Sequence, residues 1–280
     1  MPISFWHSAK ERSQNMIKPT VVITGGSSGI GQELARVYAA HHYQVYTLSR
    51  RVYSWKEVNI RHLGCDITKA GDLQLAASEI AKAGHPVDIL ICCAGYGIAG
   101  VTEETSLESA RQQFDVNFFG AFLTIQNFLP LLKKKRGSKI LFISSVAGEI
   151  ALPYQSFYSA SKAAMNKLLE AWQLELKPFG VKVSSFLLGD IKTDFTAHRQ
   201  AQASHQPHYR KKLANSIAKM AKDEQTGMSA NYVAKVIFKR SQRKYQPPVQ
   251  TIGWQYHLFL LLQRILPRKL VLFLVGLLYA

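Results

Sequence analysis

Apolar residues in this chain arrive in short unbroken runs, and between the runs they arrive at helical spacing. Thr20–Thr24 (TVVIT), Gln44–Ser49, Ile60–Cys65, Val87–Cys92, Lys139–Ser144 and Val181–Leu188 read as strands. Ile30, Leu34, Val37 and Tyr38 share one face of a helix expected over Ile30–His41. Similar patterns predict helices over Asp72–Ala83, Leu107–Lys134 and Ser159–Lys177. Strands that are apolar along their whole length are buried on both faces, as in a parallel sheet covered by helices. Right-handed crossovers then predict an α/β fold, a doubly wound parallel sheet with helices on both faces and ligands at the carboxyl ends of its strands.

The regularity fails beyond Gly189. Lys192 to Thr226 is polar and basic with no strand signal, so residues 190–228 are expected to form a mobile flap over a cleft. Ser229 can cap a helix reaching about Arg243, and Val249–Gly253 fits a last strand. Residues 19–253 thus form one domain, preceded by a polar lead-in over 1–18. Residues 254–280 form a hydrophobic, basic helical tail, with apolar runs at Tyr256–Leu262 and Leu270–Tyr279 split by Arg264, Pro267, Arg268 and Lys269. Neither run reaches the roughly 18 residues of a membrane-spanning helix.

Composition narrows the class. At 280 residues, 47% hydrophobic and 19% charged, the chain can bury a large core and is not disordered. Cys65, Cys92 and Cys93 make no disulfide framework or metal-ligand spacing, and they fit buried thiols in a reducing compartment. Met1 to Lys18 lacks the apolar core of a secretory signal, so a cytoplasmic protein is expected. The net charge of +17 is concentrated late: fourteen Lys and Arg between Arg199 and Lys269 face only Asp223 and Glu224. An apolar tail rimmed by cations fits an anionic membrane surface, a second subunit, or packing on its own domain. Nucleic acid is disfavoured, because these cations flank leucine-rich segments rather than interleaved aromatics.

Two motifs carry chemistry. Thr24–Gly31 (TGGSSGIG) lies between a predicted strand and a predicted helix, where glycines let backbone approach a pyrophosphate and a helix N-terminus offers N–H donors. Tyr158 and Lys162 stand four residues apart in FYSASKAAM, on one helical face, and a phenol beside an ammonium makes a plausible acid/base unit. Together with Asn117 in DVNFFG and Ser145 in ISSVAG, they make the chain strongly resemble the short-chain dehydrogenase/reductase family from about Thr20 to Thr193.

The resemblance implies a Rossmann-like fold that binds a nicotinamide dinucleotide. It implies cofactor contacts from Gly25, Ser27, Ser28, Gly29, Ile30 and Gly31 in the loop, and from Ser49 and Arg50 after the second strand. NAD-preferring members usually carry an acid at that place, whereas Ser49 with Arg50 suits a 2′-phosphate, hence NADP(H). Asp66 matches the family's adenine-contacting acid, followed by Ile67. Cys93-Ala94-Gly95 replaces the family's Asn-Ala-Gly: Cys93 lacks the amide's hydrogen bonds, so altered loop packing is expected, with Ala94 and Gly95 still admitting the cofactor. Ile191 and Thr193 are implied at the nicotinamide carboxamide, after a Leu188 that stands where proline is usual.

By the same resemblance Tyr158 is the proton donor and acceptor, Lys162 lowers its pKa and binds ribose, Ser145 polarises the carbonyl, and Asn117 binds cofactor and supports proton resupply through a water. Alternation and motif register favour Ser145 over Ser144. The expected function is NADP(H)-dependent hydride transfer to or from a ketone or secondary alcohol. The apolar tail and Phe195, Met220 and Met228 suggest a lipophilic substrate, such as a sterol, a keto-sphingoid base or an acyl-dihydroxyacetone phosphate. The family resemblance also implies a homo-oligomer, built through the helices expected at Leu107–Lys134 and Ser159–Lys177. A non-catalytic NADP(H)-binding regulator of the same fold is the alternative.

Overall fold

The computed structural model describes residues 18–279; the expected lead-in lies outside them but for Lys18. The apolar runs become seven strands: β1 (Thr20–Thr24), β2 (Gln44–Ser49), β3 (Ile60–Gly64), β4 (Ile89–Cys92), β5 (Lys139–Ser145), β6 (Lys182–Leu188) and β7 (Val249–Thr251). They form one sheet in the order β7-β6-β5-β4-β1-β2-β3, and every pairing is parallel. Val21, Val22 and Ile23 of β1 have no exposed surface, as continuous apolarity requires of a central strand.

Helices cover both faces. On one side α1 (Gly29–Ala40) and α7 (Ala230–Ser241) bury Leu34, Tyr38, Val233 and Ile237 against β1 and β6. On the other side lie α2 (Ala70–Ala81), α4 (Ala121–Lys133) and α5 (Ser156–Glu175), with Leu73, Ile125, Phe128, Met165 and Leu169 in the core. The strand order reverses direction between β1 and β4, so the crevice of the switch point opens at their carboxyl ends.

The segment expected as one helix over Leu107–Lys134 is broken. α3 (Leu107–Phe114) passes into a π-helical turn at Asp115–Gly120 before α4 begins. Gly120 is pressed against Ile67, whose Cδ1 lies 2.8 Å from where a Cβ would stand, so the widened turn brings backbone against the end of β3.

The expected irregular flap is largely a helix, which corrects that reading. Pro207 starts α6 (Pro207–Thr226), and Leu213, Ser216 and Met220 form its buried stripe. That stripe holds too few apolar residues to show as a helical period in so basic a stretch. Two short parallel pairings staple the flap down, Ile98–Ala99 with Gln200–Ala201 and Ile191–Lys192 with Met228–Ser229. The tail forms two helices, α8 (Trp254–Ile265) and α9 (Arg268–Tyr279), which fold back on their own domain. Among the described residues no helix is long and apolar enough to cross a membrane.

Candidate active site

The loop from β1 to α1 makes close approaches that only glycine permits. Gly25 has φ +68°, and a Cβ on Gly31 would lie 2.3 Å from the Gly25 carbonyl oxygen. A Cβ on Gly25 would meet Ala94 Cα at 2.8 Å, so the loop rests on the β4 terminus. Thr24 Oγ1 fixes that terminus by accepting from the Cys93 N–H at 3.1 Å and the Ala94 N–H at 3.2 Å. Burial pushes the Cys93 thiol up to about 12, so it is a neutral packing group.

Every residue expected at the cofactor except Asn117 lines one continuous cavity of about 980 Å³, and so does Ser145. Ser49 is turned by a 2.8 Å bond from its hydroxyl to the Arg51 carbonyl, while Arg51 reaches back to the Ser27 carbonyl at 3.4 Å. Arg50 and Arg51 both line this end. Burial pushes the Asp66 carboxyl upward, but bonds from the Thr68 N–H and hydroxyl, with the Arg50 and Lys69 charges, outweigh it and hold the carboxyl below its usual range. The glycine turn, the paired arginines and this ionised acid fit a phosphorylated dinucleotide; bound there, it would supply the hydride chemistry.

Tyr158 and Lys162 lie one turn apart on α5, as their spacing predicts. Burial pushes the phenol up to about 12, offset in part by a hydrogen bond with Ser145; the Glu224 charge raises it further and Arg199 lowers it. Burial drives Lys162 the other way, down to about 8. Its ammonium donates to the Ile143 carbonyl at 2.9 Å, lies 4.7 Å from the Phe142 ring centroid and 5.9 Å from that of Tyr158. Burial is the leading cause of the phenol's shift, ahead of any neighbouring charge. One of the three Lys162 donors is taken by the Ile143 carbonyl.

Asn117 departs from expectation. It is fully buried in the π turn, outside the cavity lining. Its Oδ1 accepts from the Tyr96 N–H at 3.1 Å, and its Nδ2 donates to the Tyr96 carbonyl at 2.9 Å and to Ser161 Oγ at 3.2 Å. Those bonds tie α5 to the loop after β4, and a Cβ on Gly95 would sit 3.1 Å from Asn117 Oδ1 and 3.6 Å from Lys162 Nζ. Asn117 shapes the wall that Gly95 presents.

The other half of the cavity is legible in the sequence as apolar content, in Phe195, Met220 and the tail, but not as geometry. Phe195 faces Tyr158 with ring centroids 6.0 Å apart. Glu224, at the end of α6, accepts from Arg199 and Thr196 beside it. Tyr256, Phe259, Leu262, Val271, Leu274 and Leu278 of the tail roof the chamber. Tyr256 occupies space left by Gly189, where a Cβ would lie 1.9 Å from its Cζ. Residues 67 positions apart carry no local signal of such a fit.

Comparison with known proteins agrees with this geometry. The family model described as short chain dehydrogenase matches residues 19–204. The 3-ketodihydrosphingosine reductase of Bacteroides thetaiotaomicron is 34% identical over 233 residues, 82% of this chain and 86% of that protein. The NADPH-dependent 1-acyldihydroxyacetone phosphate reductase of Saccharomyces cerevisiae is 31% identical over 239 residues, 81% of this chain and 79% of that protein. Among solved structures, a short-chain dehydrogenase from Streptomyces avermitilis superposes with TM-score 0.78 at 24% identity, covering 87% of this chain and 91% of that one.

Proposed function

The chain belongs to the short-chain dehydrogenase family and is an oxidoreductase, and on that premise we propose that it reduces a lipophilic ketone with NADPH. The observation that carries this reading is the continuity of the cavity. One chamber joins the glycine loop and Arg50–Arg51 to Ser145, Tyr158 and Lys162, and then to an apolar roof from α8 and α9. Two relatives, named as a 3-ketodihydrosphingosine reductase and a 1-acyldihydroxyacetone phosphate reductase, support the substrate class.

In this reading Gly25, Ser27, Ser28, Gly29, Ile30 and Gly31 hold the pyrophosphate. Ser49 with Arg50 and Arg51 takes the 2′-phosphate, and Asp66 and Ile67 take the adenine. Ala94, Gly95, Ile191 and Thr193 border the nicotinamide end, and NADPH supplies the hydride. Ser145 donates to the substrate carbonyl oxygen, and Tyr158, protonated across the physiological range, gives its proton to the forming alkoxide. Lys162 holds a positive charge beside them and binds ribose, and Asn117 fixes the Gly95 wall. The partners in this reading are a second copy of the chain, through α4 and α5, and an anionic membrane surface, with the protein peripheral to it in a reducing cytoplasm.

The test is NADPH oxidation followed at 340 nm with a short polar ketone, a steroid and a long-chain keto-lipid, using Tyr158→Phe as control. Turnover restricted to the lipophilic ketones and lost in the control is expected. Turnover of the polar ketone alone would overturn the substrate class, and failure to bind NADPH would overturn the cofactor.

A further inference from the structure

Helix α8 carries two apolar faces. Tyr256, Phe259 and Leu262 look into the chamber. Trp254, Leu258, Leu261 and Ile265 recur at helical spacing on the opposite side and are 76%, 43%, 53% and 69% exposed. α9 repeats the division: Val271 and Val275 line the chamber and are half-buried, while Leu272 and Phe273, which line none of it, are 51% and 61% exposed. A helix apolar all round belongs in a core or in lipid. Here the chamber takes one face, and no described residue covers the other.

Length and charge select the occupant. Twelve residues make a helix of about 18 Å, short of the roughly 30 Å of a bilayer core, so this pair can lie in an interface but not span it. No Asp or Glu occurs from Gln225 to Ala280, whereas eight Lys and Arg do. Arg264, Arg268 and Lys269 adjoin the exposed stripes, and none has an ion-pair partner among the described residues. A second copy seated on this face would set the same cations against one another with no acid to answer them. An anionic bilayer satisfies the apolar stripe and the basic rim together.

We infer that the outer face of the α8–α9 pair docks on an anionic membrane surface, which makes the roof of the chamber the membrane-bound element. The roof is tied to the domain by few polar bonds. Gln263 donates to the Glu149 carbonyl at 2.6 Å, Tyr256 bonds Asp190, and among the described residues the only side-chain bond of α9 runs from the Tyr279 hydroxyl to Asp223 at 3.4 Å. A docked roof leaves about one helix diameter, roughly 10 Å, between lipid and chamber. An acyl chain then enters by passing the roof, without crossing bulk water. This use of the docking rests on the lipophilic-substrate reading; the docking itself does not.

The experiment is flotation of the full chain with phosphatidylcholine vesicles, with and without phosphatidylglycerol. It is repeated for Leu261→Glu/Phe273→Glu and for Arg264→Glu/Arg268→Glu/Lys269→Glu, and NADPH binding monitors folding. The expected result is salt-sensitive flotation only with phosphatidylglycerol. Each cation near the surface is worth about a fivefold change in partition, so losing three and adding three anions lowers it by at least about a hundredfold. NADPH affinity stays unchanged in both variants. Absence of flotation, or equal flotation of the variants, overturns the inference. A dimer seen by light scattering, dispersed by Leu261→Glu/Phe273→Glu and unaccompanied by flotation, assigns the face to a second copy and overturns it too. Failure of the unaltered chain to bind NADPH would remove the reductase reading and leave the flotation result standing.

Discussion

The hydroxyl of Tyr256 accepts a 2.8 Å hydrogen bond from the Asp190 N–H and donates one of 2.8 Å to the Asp190 carboxylate. This joins the first turn of the tail to the loop that carries Ile191 and Thr193. Tyr256→Phe keeps the ring against Gly189 but leaves both Asp190 groups without that partner, a cost of about 1–3 kcal/mol. The Asp190 carboxyl, already raised by burial, should rise further. Gly189→Ala should cost more, because its methyl would overlap the ring. Limited proteolysis checks both: cleavage in residues 254–279 should quicken in the order wild type, Tyr256→Phe, Gly189→Ala.

In the proposed mechanism Tyr158→Phe removes the proton donor, and it leaves the ring beside Phe195. Ketone reduction should fall by about 10²–10⁴ while NADPH affinity stays within a few-fold. The pH profile of the unaltered enzyme follows from the two shifts. The phenol keeps its proton up to about 12, so its ionisation does not limit reduction at neutral pH. Lys162 loses its charge as pH rises through about 8, so kcat/KM for reduction should decline there. A profile flat to pH 10 would exclude Lys162 as the titrating group.

Lys162 also costs stability, and the sign can be worked out. Its pKa falls from 10.5 in the unfolded chain to about 8 in the fold, so between those values the unfolded state binds more protons and stability rises with pH. Below pH 8 the penalty is complete, on the order of 3 kcal/mol. Lys162→Met therefore should raise Tm at pH 7, less the loss of one bond to the Ile143 carbonyl, and its advantage should vanish near pH 10.5. Calorimetry at the two pH values measures this. A variant less stable than wild type at both would show that the ammonium is not desolvated as described.

What the sequence makes legible is what local pattern encodes. Val21, Val22 and Ile23 announce a central strand because burial on both faces leaves no room for alternation. Gly25 and Gly31 announce the turn because their close approaches admit no side chain. Tyr158 and Lys162 follow from helical spacing. Asn117 was found as a residue but not as a contact, since whether its amide faces the cavity or Tyr96 depends on a π turn set by Ile67 against Gly120. α6 was hidden because three buried positions sufficed to hold a helix whose other faces are solvated. The tail shows in the sequence as apolar helix, but its place as a roof does not, for a different reason. Its inner and outer faces are equally apolar, so no period separates the chamber side from the outside.

Cofactor choice should reside in Arg50 and Arg51, which line the end of the chamber beside Ser27 and Ser49. A charge-assisted bond to a phosphate is worth about 1.5–3 kcal/mol, or roughly 10–150-fold. Arg50→Asp should therefore lower kcat/KM with NADPH by about that factor and leave NADH less affected. Steady-state kinetics with both cofactors measures the ratio. An unchanged ratio in Arg50→Asp/Arg51→Ser would move the determinant away from this pair.

The Arg199–Glu224 pair holds the flap over Tyr158. The Arg199 side chain is 3% exposed and that of Glu224 13%, and Glu224 also accepts from Thr196. Thr196 follows Phe195, which packs on Tyr158, while the Gln200 N–H is held by the Gly97 carbonyl. The end of α6 is thus bolted through one ion pair to the segment that covers the phenol. Removing one partner strands a buried charge, worth about 3–5 kcal/mol, whereas removing both removes the need for pairing. Arg199→Met and Glu224→Gln should each loosen α6, seen as faster amide exchange over residues 207–226, while exchange in β1 and β5 is unchanged because the flap can open without the sheet. Arg199→Met/Glu224→Met should exchange more slowly than either single variant. The KM for ketone should rise with the loosening, more than kcat falls, since the flap covers the chamber without supplying the proton. Additive effects in the double variant would mean that the two charges are solvated separately, and the flap would then need another anchor.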